Sequence, residues 1–178
     1  MKFIFDFDDV LFYTTRRRVE YIYPFLEKLG ISRQKVDEYY KEVRGQNFSM
    51  KKLLKYFSLP EETYEEIMRD SIDFSNKETI NFLKKAGKEN CFIITYGDEE
   101  FQLDKIKRTG VDTLVSEIIV VSTDEKKEFI EVICEKYKNE KIVFIDDKAK
   151  HFENLDLQKC PNLKTILYTG QNLESYFQ

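Results

Sequence analysis

Phe3-Ile4-Phe5-Asp6-Phe7-Asp8-Asp9-Val10-Leu11 is the stretch on which the fold turns. An apolar run with strand character passes directly into three carboxylates within four residues, with Asp6 and Asp8 on either side of Phe7. Carboxylates packed this closely repel one another unless a cation offsets them. Hard carboxylate oxygens at a strand end are the donors Mg²⁺ prefers. A solvated acidic turn or a helix cap is the competing reading of a lone pair of this kind.

Outward from that stretch, the same type of apolar run recurs. Lys2 to Phe5, Cys91 to Thr95, Glu117 to Val121, Lys141 to Ile145 and Lys164 to Tyr168 are rich in Ile, Val and Phe. Several are continuous rather than alternating, as in strands of a parallel sheet covered on both faces. Helical patterns separate the later runs. Asn76 to Ala86 ends at Gly87, and Asp98 to Arg108 ends at Gly110. A third helix is capped by Thr123 or Asp124 and turns Phe129, Ile130, Ile133 and Tyr137 inward. A further helix is expected over Lys148 to Leu157. This alternation predicts an α/β fold, a doubly wound (Rossmann-like) parallel sheet. Thr15 to Ser75 has no strand-like run and reads as about four helices: Thr15 to Leu29, Ser32 to Val43, Ser49 to Tyr56 and Glu61 to Asp73. The expected organisation is a core of residues 1–14 and 76–178 with a small all-helical cap domain, residues 15–75, inserted at a strand's carboxyl end, where open α/β sheets bind ligands.

The whole-chain properties exclude several classes. The 178 residues suit one compact domain with a small insertion, and 42% hydrophobic content supports a buried core. A net charge of -4 removes the electrostatic case for nucleic-acid binding. Three cysteines without CxxC spacing argue against a disulfide framework or a zinc site. With one histidine, His151, a His-based metal cluster is not expected, and His151 reads as a surface or packing residue. The acidic residues at positions 6, 8 and 9 break the apolar N-terminus, so it is not expected to act as a signal peptide. No stretch approaches the roughly 20 apolar residues of a membrane span. The expectation is a soluble, cytoplasmic protein with no membrane partner.

With these residues in place, the Asp6-Phe7-Asp8-Asp9-Val10-Leu11 run resembles the first motif of the haloacid dehalogenase superfamily, DxDG[TV]L. The other motifs follow in order. Thr95, closing Cys91-Phe92-Ile93-Ile94-Thr95, matches the Ser or Thr that hydrogen-bonds the transferring phosphoryl group. Tyr96, Gly97 and the helix start beyond them would offer backbone N–H groups to phosphate oxygens. Lys126 or Lys127 matches the motif lysine, and helical spacing with Ile130 and Ile133 favours Lys126. Ile142-Val143-Phe144-Ile145-Asp146-Asp147 matches the last motif, in which Asp146 binds the metal and Asp147 either joins it or orients a neighbour.

The resemblance implies Mg²⁺ held by Asp6, Asp146, Asp147 and the Asp8 backbone carbonyl. It also implies Asp6 as a nucleophile forming an aspartyl-phosphate. Asp8 begins protonated, gives its proton to the leaving alcohol oxygen and then acts as base on water. A second Asp separates phosphoryl-transfer branches from dehalogenases, whose halide leaves without a proton. The implied reaction is hydrolysis of a small phosphorylated metabolite. A phosphomutase or phosphotransferase, or a non-catalytic phospho-ligand binder, are the alternatives. Asp9 departs from the family Gly and would narrow the site or add negative field. Arg44-Gly45-Gln46-Asn47 is the candidate substrate-reading loop, and Arg16, Arg17 and Arg18 at the hinge are placed to meet a second anionic group.

Overall fold

The computed structural model describes residues 1–123 and 125–177. Five strands form one parallel sheet: β1 (Lys2–Phe5), β2 (Cys91–Tyr96), β3 (Glu117–Val121), β4 (Ile142–Asp146) and β5 (Leu163–Leu167), in the spatial order β3-β2-β1-β4-β5. The first strand lies at the centre and the chain reverses direction across it, which is the doubly wound arrangement.

Alternate residues of the central strands enter separate cores. Phe3, Phe5, Ile93, Val143 and Ile145 face Phe82, Leu83 and Ile106. Ile4, Phe92, Ile94 and Phe144 face Ile130 and Ile133. Burial on both faces explains why these strands read as continuous apolar runs. Helix α6 (Lys77–Ala86) and α7 (Glu99–Thr109) cover the first face, and α8 (Lys127–Lys136) covers the second. Asn76 caps α6 by accepting from the Thr79 amide, and Asp98 caps α7 by accepting from that of Phe101.

Between β1 and α6 the regular elements are helices, apart from isolated bridges at Phe12. Helix α1 (Thr14–Arg17) runs through a π-helical turn (Arg18–Ile22) into α2 (Tyr23–Lys28), followed by α3 (Arg33–Glu42), α4 (Met50–Tyr56) and α5 (Thr63–Met68). These helices bury their own core, including Leu26, Val36, Leu53 and Ile67, and Phe101 of α7 joins it.

Four expectations differ from the structure. The helix expected to run to Asp73 stops at Met68 and continues as a tight 3₁₀ turn over Ser71–Phe74. Helix α8 begins at Lys127, so Thr123 lies too far upstream to cap it, and Asp124 lies outside the described residues. Phe129 is 40% exposed rather than turned inward, because the buried face of α8 centres on Ile130, Ile133 and Cys134 and Phe129 stands about 100° round from Ile130. The helix expected over Lys148 to Leu157 is one turn, α9 (Lys150–Glu153). Among the described residues, no helix is long and apolar enough to cross a membrane.

Candidate active site

Parallel pairing of β1 with β4 puts Phe5 opposite Ile145, so the next residues, Asp6 and Asp146, leave the sheet side by side. The Asp6 amide donates to the Ile145 carbonyl at 2.9 Å, which holds that register one residue past the end of β1. Both carboxylates are buried, and one ammonium serves them. Lys126 Nζ, also buried, lies 2.9 Å from Asp6 Oδ1 and 2.7 Å from Asp146 Oδ2. Asp6 Oδ1 also accepts from the Phe7 amide at 2.8 Å. Among the described residues no hydrogen bond reaches Asp6 Oδ2.

Lys127 points away and pairs with Glu131 at 3.7 Å. Lys126 reaches the site from the position just before α8, not from the helical face expected of it.

The two carboxylates do not share the ammonium equally. Burial raises the Asp6 carboxyl above the ordinary carboxylate range, and the charge of Lys126 does not fully offset burial plus the repulsion of Asp146 and Asp8. Asp146 is also penalised by burial, but a hydrogen bond from His151 and the charge of Lys126 bring it below that range. His151 Nδ1 lies 2.7 Å from Asp146 Oδ2, and the ring is buried. The surface or packing role expected for His151 is therefore corrected: the short turn of α9 folds it back under β4. Its i+5 spacing from Asp146 gives no periodic signal, so the contact exists only in three dimensions.

Asp8 rests in the opposite condition to the one expected. Its carboxylate accepts from Lys105 Nζ at 2.5 Å, from Gln102 Nε2 at 2.8 Å and from the Thr14 hydroxyl. Burial raises its carboxyl, but Lys105 and the hydrogen bonds outweigh burial and hold it below the usual range. Asp8 is thus an ionised, ion-paired carboxylate, not a resting acid. Gln102 and Lys105 escaped the sequence reading. Their signal was present, since both share the buried stripe of α7 with Phe101, Ile106 and Thr109, and buried polar groups on such a stripe need partners.

Thr95, one residue before the end of β2, is fully buried, and among the described residues its hydroxyl has no hydrogen-bond partner. Tyr96 and Gly97 differ from expectation. The Gly97 amide donates to the Val121 carbonyl at 3.1 Å, the Tyr96 carbonyl accepts from Gln102, and the Asp98 carboxylate already caps α7. The Gly97 amide is therefore already taken, and the Tyr96 carbonyl helps to hold Gln102 beside Asp8. Gly97 itself is required. Its φ is +152°, and a Cβ there would stand 2.7 Å from Gln102 Nε2.

The donor set suits a hard divalent cation. Asp147 Oδ1 is buried without a hydrogen bond, its nearest cation being Lys148 Nζ at 3.7 Å. Burial and the neighbouring Asp6, Asp146 and Asp9 raise its carboxyl. Together with the raised Asp6, it marks a corner with excess negative charge, of the kind a hard divalent cation such as Mg²⁺ offsets. Ligand atoms of Asp6, Asp146 and His151 also lie within 4.8 Å of one another. That trio is not the better cradle, because Lys126 already occupies Asp146 Oδ2 together with His151.

The model of the haloacid dehalogenase-like hydrolase family matches residues 3–151, from the first strand through the last acidic pair. This chain belongs to that family. Among solved structures it is similar to a haloacid dehalogenase-like hydrolase from Burkholderia xenovorans LB400, with a TM-score of 0.69 and 20% identity over 92% of this chain and 79% of that one. It is similar to a hydrolase from Streptococcus pneumoniae TIGR4, with a TM-score of 0.60 and 19% identity over 99% and 97% of the two chains. It is also similar to the HAD-hydrolase YfnB from Bacillus subtilis, described as bound to magnesium, with a TM-score of 0.55 and 15% identity over 92% and 84%. At these identities the likeness is one of fold. No curated relative matches the sequence.

Within this haloacid dehalogenase-like hydrolase, the Asp9 departure has a structural explanation. Asp9 has φ +57°, the left-handed conformation that glycine adopts freely. Its carboxylate turns away to accept from the Thr15 amide at 2.8 Å and the Thr15 hydroxyl at 2.6 Å. The side chain therefore ties the first turn of α1 to the loop and offsets its own backbone strain. Beyond Asp8, a cavity of about 300 Å³ separates the sheet end from the α1–α5 helices. Gln46 and Gly97 line it, whereas Arg44 is exposed and does not.

Proposed function

We propose that the chain is a Mg²⁺-dependent phosphatase of a small phosphomonoester, working through an aspartyl-phosphate on Asp6. The observation that carries this is the pairing of two differently held carboxylates: Asp6, bound by Lys126 through one oxygen only, and Asp8, two residues on, ion-paired with Lys105. Asp6 Oδ2 attacks phosphorus, and the bond to the leaving alcohol oxygen breaks. Lys126 neutralises charge beside the nucleophile, and the unpartnered Thr95 hydroxyl donates to a phosphoryl oxygen. Mg²⁺, held by Asp6, Asp146, Asp147 and the Asp8 carbonyl, supplies charge stabilisation to the phosphoryl oxygens when bound.

Because Asp8 rests ionised, it relays rather than stores a proton. A phosphomonoester that retains one proton, with a second pKa near about 6, brings the proton its leaving oxygen needs. Asp8 then accepts a proton from the water that cleaves the aspartyl-phosphate. The α1–α5 helices act as the cap over this site, closing it against water while the intermediate lasts. A small phosphorylated metabolite is the partner this site would take.

The test is release of phosphate from p-nitrophenyl phosphate with Mg²⁺. Turnover that disappears in Asp6→Asn supports the reading. No turnover by the unaltered protein across a broad phosphoester panel would overturn it.

A further inference from the structure

The cavity beyond Asp8 carries charge that phosphoryl transfer to Asp6 does not use. Arg17 lines it and is 3% exposed. Its guanidinium donates to the Ile67 carbonyl and lies 3.5 Å from the Met68 sulfur, while its Nε is buried without a hydrogen bond. Arg18 lines the same cavity, rests 5.6 Å over the Tyr40 ring and also has a buried, unbonded Nε. Among the described residues neither guanidinium has a carboxylate within ion-pair distance. Arg16, by contrast, is exposed and pairs with Glu20 at 2.8 Å.

A buried guanidinium with no anion is costly to keep. Burial, with a smaller push from Arg108, pulls the Arg17 guanidinium down to about 10. The cavity's one carboxylate, Asp8, is already taken by Lys105. Phe12, Ile22, Phe48, Met50 and Phe101 give the wall an apolar stretch beside its polar residues, among them Thr14, Gln46 and Gln102. The π-helical turn over Arg18–Ile22 adds a residue to the helix and so aims both Arg18 and Ile22 into the space.

We infer that this cavity receives the leaving group of a phosphomonoester that carries a second anionic group on a compact apolar body, the anion being held by Arg17 and Arg18. The inference rests on the phosphatase reading for orientation. Asp8 serves the leaving oxygen and also lines the cavity, so whatever lies beyond that oxygen extends between the sheet end and the helices. At about 300 Å³ the space is at the small end of ligand sites, which excludes a macromolecular substrate from full entry.

The test compares two non-hydrolysable ligands, benzylphosphonate and meta-carboxybenzylphosphonate, by titration calorimetry with the whole protein and Mg²⁺. The carboxylate is expected to tighten binding at least about tenfold, the scale of hydrogen bonds to a charged group. Arg18→Met is expected to bring that ratio close to one. Arg17→Lys, which keeps the charge in a buried position, is expected to retain part of it. Equal affinities in the unaltered protein, a preference that survives Arg18→Met, or no binding of either phosphonate would each overturn the inference. The phosphatase reading fails separately, by absence of phosphate release, while the affinity ratio remains measurable.

Discussion

Replacing Lys105 by Met removes the ammonium from Asp8 while keeping the length of the side chain. Lys105 is 3% exposed at its side chain and Asp8 19%, so the pair is largely desolvated. Removing one partner of a buried ion pair costs about 3–5 kcal/mol, because the other charge remains without compensation. Two donors stay on Asp8, Gln102 at 2.8 Å and the Thr14 hydroxyl, which places the expected loss near the lower end, about 3 kcal/mol. The contact of Nζ with the Phe101 ring at 4.9 Å is lost as well, adding a fraction of a kcal/mol.

The pH dependence distinguishes this cause from lost packing. In the unaltered protein the Asp8 carboxyl lies below its unfolded value of 3.8. Its contribution is therefore complete above that value and is lost as pH falls through the folded one. In the variant, burial acts on Asp8 without the opposing charge, so protonation relieves the fold as pH falls. The gap in unfolding free energy, measured by urea denaturation from about pH 7.5 to about pH 3.5, should be widest near neutrality and narrow in acid. A gap that stays constant over that range, or one below about 1 kcal/mol at neutrality, would refute the ion-pair account of Asp8.

Lys126→Met leaves Asp6 and Asp146 as adjacent buried carboxylates. The expectation is a kcat lower by about 10²–10³-fold and a Tm that Mg²⁺ raises more in the variant than in the unaltered protein, read by paired melts with and without the metal. Gly97→Ala forces a Cβ against Gln102 Nε2 and should destabilise by about 1–3 kcal/mol while lowering kcat more than it raises KM, since Asp8 loses its platform. Asn76→Ala removes a fully buried amide that donates to the Val10 carbonyl at 2.9 Å and the Tyr168 hydroxyl at 2.8 Å; a loss of about 2–4 kcal/mol in denaturant unfolding is expected.

The α/β fold and the positions of the acidic residues at its strand ends were legible in the chain itself. Central parallel strands buried on both faces can only be written as continuous apolar runs, so Phe3-Ile4-Phe5 and Val143-Phe144-Ile145 declare themselves, and the acidic residues that follow mark where each strand leaves the sheet. That Asp6 and Asp146 share a site was implied by the family resemblance, and the pairing of β1 with β4 sets them side by side.

Contacts between distant elements carry no such signature. Asp8 was expected to begin protonated because the mechanism implied by the resemblance uses it first as an acid. Only the packing of α7 against the sheet end brings Lys105, ninety-seven residues away, onto its carboxylate. His151 reaches Asp146 because α9 stops after one turn, and Asp9 escapes the site because its left-handed backbone swings the carboxylate to Thr15. Each of these sets the charge state or direction of an acidic residue the sequence had already named. Residue type specifies which groups can ionise, while burial and partners contributed by other elements decide which of them do.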